Sequence, residues 1–170
     1  MIGKFKLKIT GIIFLLFFLL GAGCDKNIKD LNLEKMKLAL AEVGGKLEWS
    51  AEVVERVPSE YNYYGNSFIV YGPFKQETGD VVNSDSLEII EFESNEYAIR
   101  AYGQEECFKG KGEPIKIYDT EGCCLNNSKN ESNQVIMQKE NYIFRVNDYF
   151  HANCQAVGYL KQFWSEYLKK

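Results

Sequence analysis

The chain has 170 residues, which is enough for one domain of ordinary size and too few for two domains and a linker. Its composition is 45% hydrophobic and 26% charged, with a net charge of −4. These values exclude an intrinsically disordered chain, a collagen-like repeat and a membrane protein with several spans.

The N-terminal segment has the composition of an export signal. Lys4, Lys6 and Lys8 precede an uncharged, mostly apolar run at 9–23. This run is shorter than the roughly 20 apolar residues that a helix needs to cross a bilayer. It has the length of the apolar region of a signal peptide, so we expect an export signal rather than a membrane span.

Small residues and a cysteine end this segment. Residues 20–24 read Leu-Gly-Ala-Gly-Cys, which resembles the lipobox of prokaryotic lipoproteins. The resemblance implies that a signal peptidase removes residues 1–23 and that Cys24 carries diacylglyceryl and a palmitate-type acyl chain. It divides the chain into a signal peptide, a lipidated cysteine with a short tether (24–31) and a globular domain (32–170). The alternative is an uncleaved N-terminal anchor with an unmodified Cys24.

Removal of the signal peptide would leave an acidic domain. Residues 1–23 contain three lysines and no acidic residue, so the processed chain has a net charge of −7. This charge attracts neither nucleic acid nor anionic lipid headgroups. We therefore expect no nucleic-acid partner, and membrane attachment through the acyl chains on Cys24. The predicted location is the periplasmic or extracellular face of the cell envelope.

The first half of the domain predicts helices and strands in mixed order. Apolar residues at helical spacing, between a cap at Asn32 and a Gly-Gly pair, predict a helix over 32–43. A second helix follows the cap candidates Ser94 and Asn95, with alanines that would let it lie close against a sheet. Strands are predicted at 47–57, 67–71 and 87–92.

The second half repeats this order of elements. The last two of its strands are joined by a tight turn at 140–141. A C-terminal helix carries an apolar stripe from Val157 to Tyr167. The elements predict a single α+β domain with a mainly antiparallel sheet of five to six strands, two or three helices on one face, and an element-level βββα duplication. The strands of this half are predicted at 115–118, 134–139 and 142–147.

Four cysteines remain after Cys24, and an even number in an exported domain predicts disulfides. Adjacent cysteines cannot bond to each other without strain, which leaves two sets of pairs, 107–123 with 124–154 or 107–124 with 123–154. The alternatives are free buried thiols and a zinc or copper site that includes His151. Without a Cys-x-x-Cys motif we expect no metal and no cofactor. The cysteines are Cys107, Cys123, Cys124 and Cys154.

The motifs of familiar enzyme classes are missing from the sequence. The chain has one histidine, no Gly-x-Ser-x-Gly and no glycine-rich phosphate loop. Glu91 and Glu93 lie two residues apart at the end of a predicted strand, at a spacing that a carboxylate-based hydrolase would need. Acidic residues in this pattern are more typical of the solvent side of a half-buried strand. We therefore expect no catalytic residues and no enzyme.

Aromatic residues are concentrated between positions 61 and 74. Aromatic rings beside amide groups offer a large contact area to a protein, a peptide or a glycan. The leading hypothesis is a lipid-anchored, non-enzymatic binding domain of the cell envelope. The alternatives are an envelope inhibitor or immunity-type protein, which an acidic domain suits, and a carboxylate-based hydrolase. The predicted binding residues are Tyr61, Tyr63, Tyr64 and Tyr71.

Overall fold

The fold is taken from a computed structural model of the chain. The residues that it describes are 28, 30–56, 65–76, 82–104, 112–127, 132–148 and 154–170. Their helices are α1 (Leu33–Lys46), α2 (Asn95–Tyr102) and α3 (Val157–Tyr167). Their strands are β1 (Val54–Arg56), β2 (Ser67–Gln76), β3 (Val82–Glu91), β4 (Glu113–Ile117), β5 (Thr120–Asn127), β6 (Ser132–Lys139) and β7 (Tyr142–Asp148).

The seven strands pair antiparallel in one sheet with the order β1-β2-β3-β7-β6-β5-β4. The predicted α+β domain with an antiparallel sheet is confirmed, and the predicted number of five to six strands is wrong. The additional strand is β5, whose sequence TEGCCLNN shows no regular alternation of apolar and polar residues. It forms a strand because β4 and β6 pair with its two edges, which is a tertiary effect.

The helices lie on both faces of the sheet, so the expectation that they share one face is wrong. α1 and α3 pack on the face that carries Val135 and Phe144. α2 packs on the opposite face, where Ala98 joins a separate cluster with Ile136 and Ile143. Neighbouring residues of β6 and β7 are apolar and point to opposite faces, so these strands need cover on both sides.

The starts of α1 and α2 agree with the sequence, and the end of α1 does not. The side chains of Asn32 and Ser94 each accept a hydrogen bond from the backbone N–H three residues later, at 2.9 and 3.3 Å. α1 continues through Gly44 to Lys46. A Cβ on Gly44 would lie 2.5 Å from the carbonyl oxygen of Ser50, so this glycine serves close packing rather than helix termination.

The first three strands differ from prediction in length. β1 covers three residues, because the chain leaves α1 through a turn at 47–48 instead of entering a strand. β2 continues past the predicted end, with an irregularity in its pairing to β3 between Tyr71 and Phe74. β3 starts five residues before the predicted Leu87. A bulge of this kind allows a strand to continue through a Gly-Pro pair.

The sheet has two ends that carry different features. At one end, tight turns at 118–119 and 140–141 join β4 to β5 and β6 to β7, and we call this the turn end. At the other, which we call the disulfide end, the backbone N–H of Cys154 donates to Oδ1 of Asn133 near the start of β6, at 3.2 Å. Since β6 and β7 are antiparallel, Asn133 lies opposite Asp148, the last residue of β7.

A residue that the sequence placed in the tether is part of the folded core. Ile28 is 3% exposed and belongs to the main core. Its N–H donates to Oδ2 of Asp119 at 3.3 Å, and Nζ of Lys139 holds the same carboxylate at 2.7 Å. The carbonyl of Asp30 accepts from the Tyr167 hydroxyl at 3.4 Å. None of the helices in the described ranges is long and apolar enough to cross a membrane.

Candidate functional site

The predicted aromatic surface falls partly on described residues. Tyr61, Tyr63 and Tyr64 lie outside them, so their role stays a prediction. Tyr71 lies half-buried in β2, and the guanidinium carbon of Arg56 lies 5.1 Å from its ring centroid. Its hydroxyl oxygen is buried and has no hydrogen-bond partner among the described residues.

Tyr71 lines an open groove between β2 and the turn that follows α1. The groove has a volume of about 280 Å³, and its lining is mainly apolar, with aromatic rings and a proline. Val54, at the sheet edge beside it, is 41% exposed. The lining residues are Glu48, Trp49, Ser50, Glu52, Val54, Tyr71, Gly72 and Pro73.

Backbone hydrogen bonds fix the two walls of the groove to each other. The N–H of Ser50 donates to the carbonyl of Tyr71 at 2.9 Å, and Oγ of Ser50 accepts from the N–H of Tyr71 at 3.1 Å. The N–H of Trp49 donates to the carbonyl of Gly44 at 2.8 Å. The groove is therefore held by the end of α1 as well as by β2, which pre-organises it for a ligand.

Gly72 allows the indole ring to lie against the strand. A Cβ at this position would lie 2.8 Å from Cε2 of Trp49 and 2.8 Å from Cβ of Asp85. On its other side, Trp49 packs edge to face with Tyr159 of α3, with ring centroids 5.0 Å apart. A side chain on residue 72 would displace the ring that forms the groove wall, Asp85, or both.

Two acidic side chains line this apolar surface. Glu48 and Glu52 both line the groove and are exposed to solvent. An aromatic wall beside carboxylates favours a ligand that combines an apolar stem with a cationic head, as lysine and arginine side chains do. The sequence stretch that pointed to this region contained Tyr71, but it contained neither Trp49 nor the two glutamates.

Two buried aspartates lie at the disulfide end and were not anticipated from the sequence. Asp85 is 2% exposed and Asp148 is 0% exposed. Continuing the pairing of Ser86 with Asn147 by one residue brings these aspartates opposite each other on β3 and β7. Burial, and then the charges of Asp148 and Asp85, raise the pKa of Tyr159 to about 12. Both aspartates interact with other groups of the protein, so we assign this pair a structural role.

A sequence signal for these aspartates did exist. In each strand the aspartate falls on the same side as apolar residues of the main core, as Asp85 does with Leu87 and Ile89. A polar residue on the buried side of a strand is a stronger sign of a special role than an acidic residue on the solvent side. No cluster of three His, Cys, Asp or Glu side chains in the described ranges could hold a metal ion.

Glu91 and Glu93, the two carboxylates that a hydrolase would use, lie in different surroundings. Glu91 is half-buried and accepts a hydrogen bond from the Tyr142 hydroxyl at 3.0 Å. Burial, and then this hydrogen bond, raise the pKa of Tyr142 to about 12. Glu93 is exposed in the bend after β3.

The disulfide pairing is resolved for one pair of cysteines. Cys124 is bonded to Cys154, with their Cα atoms 6.0 Å apart, so the alternative set that pairs 107 with 124 is wrong. Cys123 is also disulfide-bonded. Cys107 and Cys24 lie outside the described residues, so their bonding stays a prediction. Successive residues of a strand point to opposite faces, which is why only one of the adjacent cysteines can reach Cys154.

Comparisons with known proteins give no further information on the site. No protein-family description, curated protein or solved structure matches the chain.

Proposed function

We propose that this protein is a lipoprotein of the cell envelope whose domain binds a ligand and performs no catalysis. The observation that carries the proposal is the cysteine at position 24, directly after a short apolar run and small residues. The Cys124–Cys154 disulfide supports it, because disulfides persist in oxidising compartments outside the cytosol.

The groove of Trp49 and Tyr71 is the proposed binding surface. Its apolar walls, its rim of Glu48 and Glu52 and its anchoring by α1 support a ligand with lysine or arginine side chains. A protein or peptide therefore fits better than a neutral glycan, which offers hydroxyl groups but no cation.

An inhibitor or immunity-type protein is the second candidate, and the charge favours it. The processed chain has a net charge of −7, and two exposed carboxylates line the groove. Complementary charge speeds the association of an acidic inhibitor with a basic enzyme. Its partner would share the chemistry proposed for the groove, so one experiment tests both candidates.

Intact mass of the membrane-extracted protein tests the lipoprotein proposal. We expect a chain that begins at Cys24 and carries the mass of its acyl groups. Measuring the mass before and after reduction also counts the disulfides, because each reduced disulfide adds two hydrogens. A full-length chain that starts at Met1 without acyl groups would refute the proposal.

Charge reversal at the groove tests the binding proposal. Glu48→Lys with Glu52→Lys is compared with Glu113→Lys and Glu121→Lys, two exposed carboxylates at the opposite edge of the sheet. The probes are a lysine- and arginine-rich peptide array and a matched glycan array. We expect the groove variant to lose peptide binding and the control pair to keep it. Equal loss in both variants would contradict the groove as the binding surface, and binding to glycans alone would contradict a cationic ligand.

A further inference from the structure

The chain enters the folded domain very close to the proposed lipid. Three residues, 25–27, separate Cys24 from the buried Ile28. A fully extended chain spans at most about 3.3–3.6 Å per residue, so the Cα atoms of Cys24 and Ile28 can be no more than roughly 14 Å apart. A domain of this length has a radius of gyration of about 15 Å. The tether is therefore too short for the domain to turn over above the membrane.

Ile28 lies at the turn end of the sheet, which determines the surface that faces the membrane. Its N–H donates to the side chain of Asp119 in the β4–β5 turn, at 3.3 Å. Lys139, the last residue of β6, completes this contact at 2.7 Å from the same carboxylate. The β4–β5 and β6–β7 turns therefore lie beside the point where the tether begins.

Tyr118 in the β4–β5 turn is suited to a membrane surface. It is 37% exposed, and its backbone has a φ of 54°. Glycine adopts this conformation easily, whereas a bulky residue does so at a cost, so an exposed aromatic ring here is unusual. Tyrosine has an apolar ring with a polar tip and is enriched at the level of lipid headgroups.

The groove lies toward the opposite end of the sheet. Tyr71 pairs with Ser86, and Ser86 pairs with Asn147. Asn147 lies five residues along β7 from Tyr142, which follows the β6–β7 turn. At about 3.4 Å per residue, this places the groove roughly 17 Å farther along the sheet than the turn.

We propose that the short tether holds the turn end of the sheet against the bilayer, with Tyr118 in the headgroup layer and the groove directed away from the membrane. The inference rests on the proposed lipidation of Cys24. The charge of −7 provides no attraction to anionic headgroups, so tether length and the aromatic ring fix the orientation.

The test places a tryptophan at each end of the sheet and measures quenching by brominated lipid. The chain from Cys24 onward contains all described contacts, and its Cys24 thiol is coupled to a maleimide phospholipid in phosphatidylcholine vesicles. Orientation is thus tested whether or not cells acylate Cys24, which the intact mass decides separately. The variants are Tyr118→Trp at the turn end and Gln155→Trp, an exposed position beside Cys154 at the disulfide end.

We expect Tyr118→Trp to lose most of its added emission in vesicles with bromine near the headgroup end of the acyl chains. Gln155→Trp should be quenched no more than the wild type, whose own tryptophans provide the baseline. Glu140→Trp, in the neighbouring turn, repeats the measurement if Tyr118→Trp does not fold. Equal quenching at both ends, or none at the turn end, would overturn the proposal.

A longer tether tests the cause of the orientation. Twelve Gly/Ser residues inserted between Asn27 and Ile28 add a mean reach of about 17–21 Å. We expect quenching of Tyr118→Trp to fall sharply in this variant. If quenching stays unchanged, the turn end binds lipid independently of the tether, and tether length does not set the orientation.

Discussion

Removal of the Cys124–Cys154 disulfide tests how much the fold depends on an oxidising compartment. The two cysteines are 30 residues apart in sequence. Closing a loop of that length in the unfolded chain is worth about 3–4 kcal/mol in loop entropy. We expect C124A/C154A to lose that free energy of unfolding, and its Tm to fall by roughly 10 °C for a domain of this size.

Urea unfolding, followed by the fluorescence of the fully buried Trp164, measures the loss. An unlinked chain exposes more surface when it unfolds, so the slope m should rise as the midpoint falls. Val135→Ala is the matched control, since Val135 is buried and pairs with Cys124 across β5 and β6. This control should lose roughly 1–2 kcal/mol from packing, with unchanged m.

The slope separates the two mechanisms. If C124A/C154A lost less than about 1 kcal/mol with unchanged m, the bond would not restrict the unfolded chain as argued. The same result would mean that the fold tolerates a reducing compartment, and the disulfide would no longer support export.

Glu166 is 5% exposed and forms ion pairs with Lys169 and Lys46, each at 2.8 Å. The hydrogen bond from Lys169, and then the one from Lys46, lower the pKa of Glu166 below the usual 4.5. The stabilisation from ionised Glu166 is present above pH 4.5 and is lost as the pH falls through its folded-state pKa. Glu166→Gln should therefore make the urea midpoint fall less steeply with acid than it does in the wild type. An unchanged fall would contradict this assignment. A Cβ on Gly122 would lie 2.6 Å from a backbone carbonyl oxygen. Gly122→Ala should therefore cost roughly 1–3 kcal/mol in urea unfolding, and a neutral effect would show that the strands separate easily. The pKa of Tyr159 is raised to about 12, chiefly by burial. The contribution of Tyr159 to the free energy of unfolding is complete below a pH of about 10 and is lost as the pH rises to about 12. The free energy of unfolding of Tyr159→Phe should therefore fall less steeply in alkali than that of the wild type. Identical curves would refute this assignment.

Features that depend on neighbouring residues could be predicted from the sequence. The helix starts after Asn32 and Ser94 follow from side chains that bond to the next turn of backbone. The β6–β7 hairpin follows from two apolar runs separated by two residues, 140–141. The apolar stripe of α3 follows from helical spacing alone, and Leu160 and Trp164 are indeed fully buried.

Features that depend on distant residues could not be predicted. β5 has no strand pattern of its own and exists because it is paired on both sides. The groove brings Trp49, after a helix, against Gly72 in a strand, and no local rule connects them. Asp85 and Asp148 lie opposite each other because β3 pairs with β7, a strand that is distant in the sequence. Residue spacing along the chain does not indicate such a non-local contact.

The cysteines show this division most clearly. The residue types alone predicted disulfides, because four cysteines remain after Cys24 in a chain whose N-terminal segment resembles an export signal. Which of two adjacent cysteines binds Cys154 depends on the face of the sheet that α3 covers. Cys124 points to that face and Cys123 to the other, so the packing of a helix more than thirty residues later decided the bond.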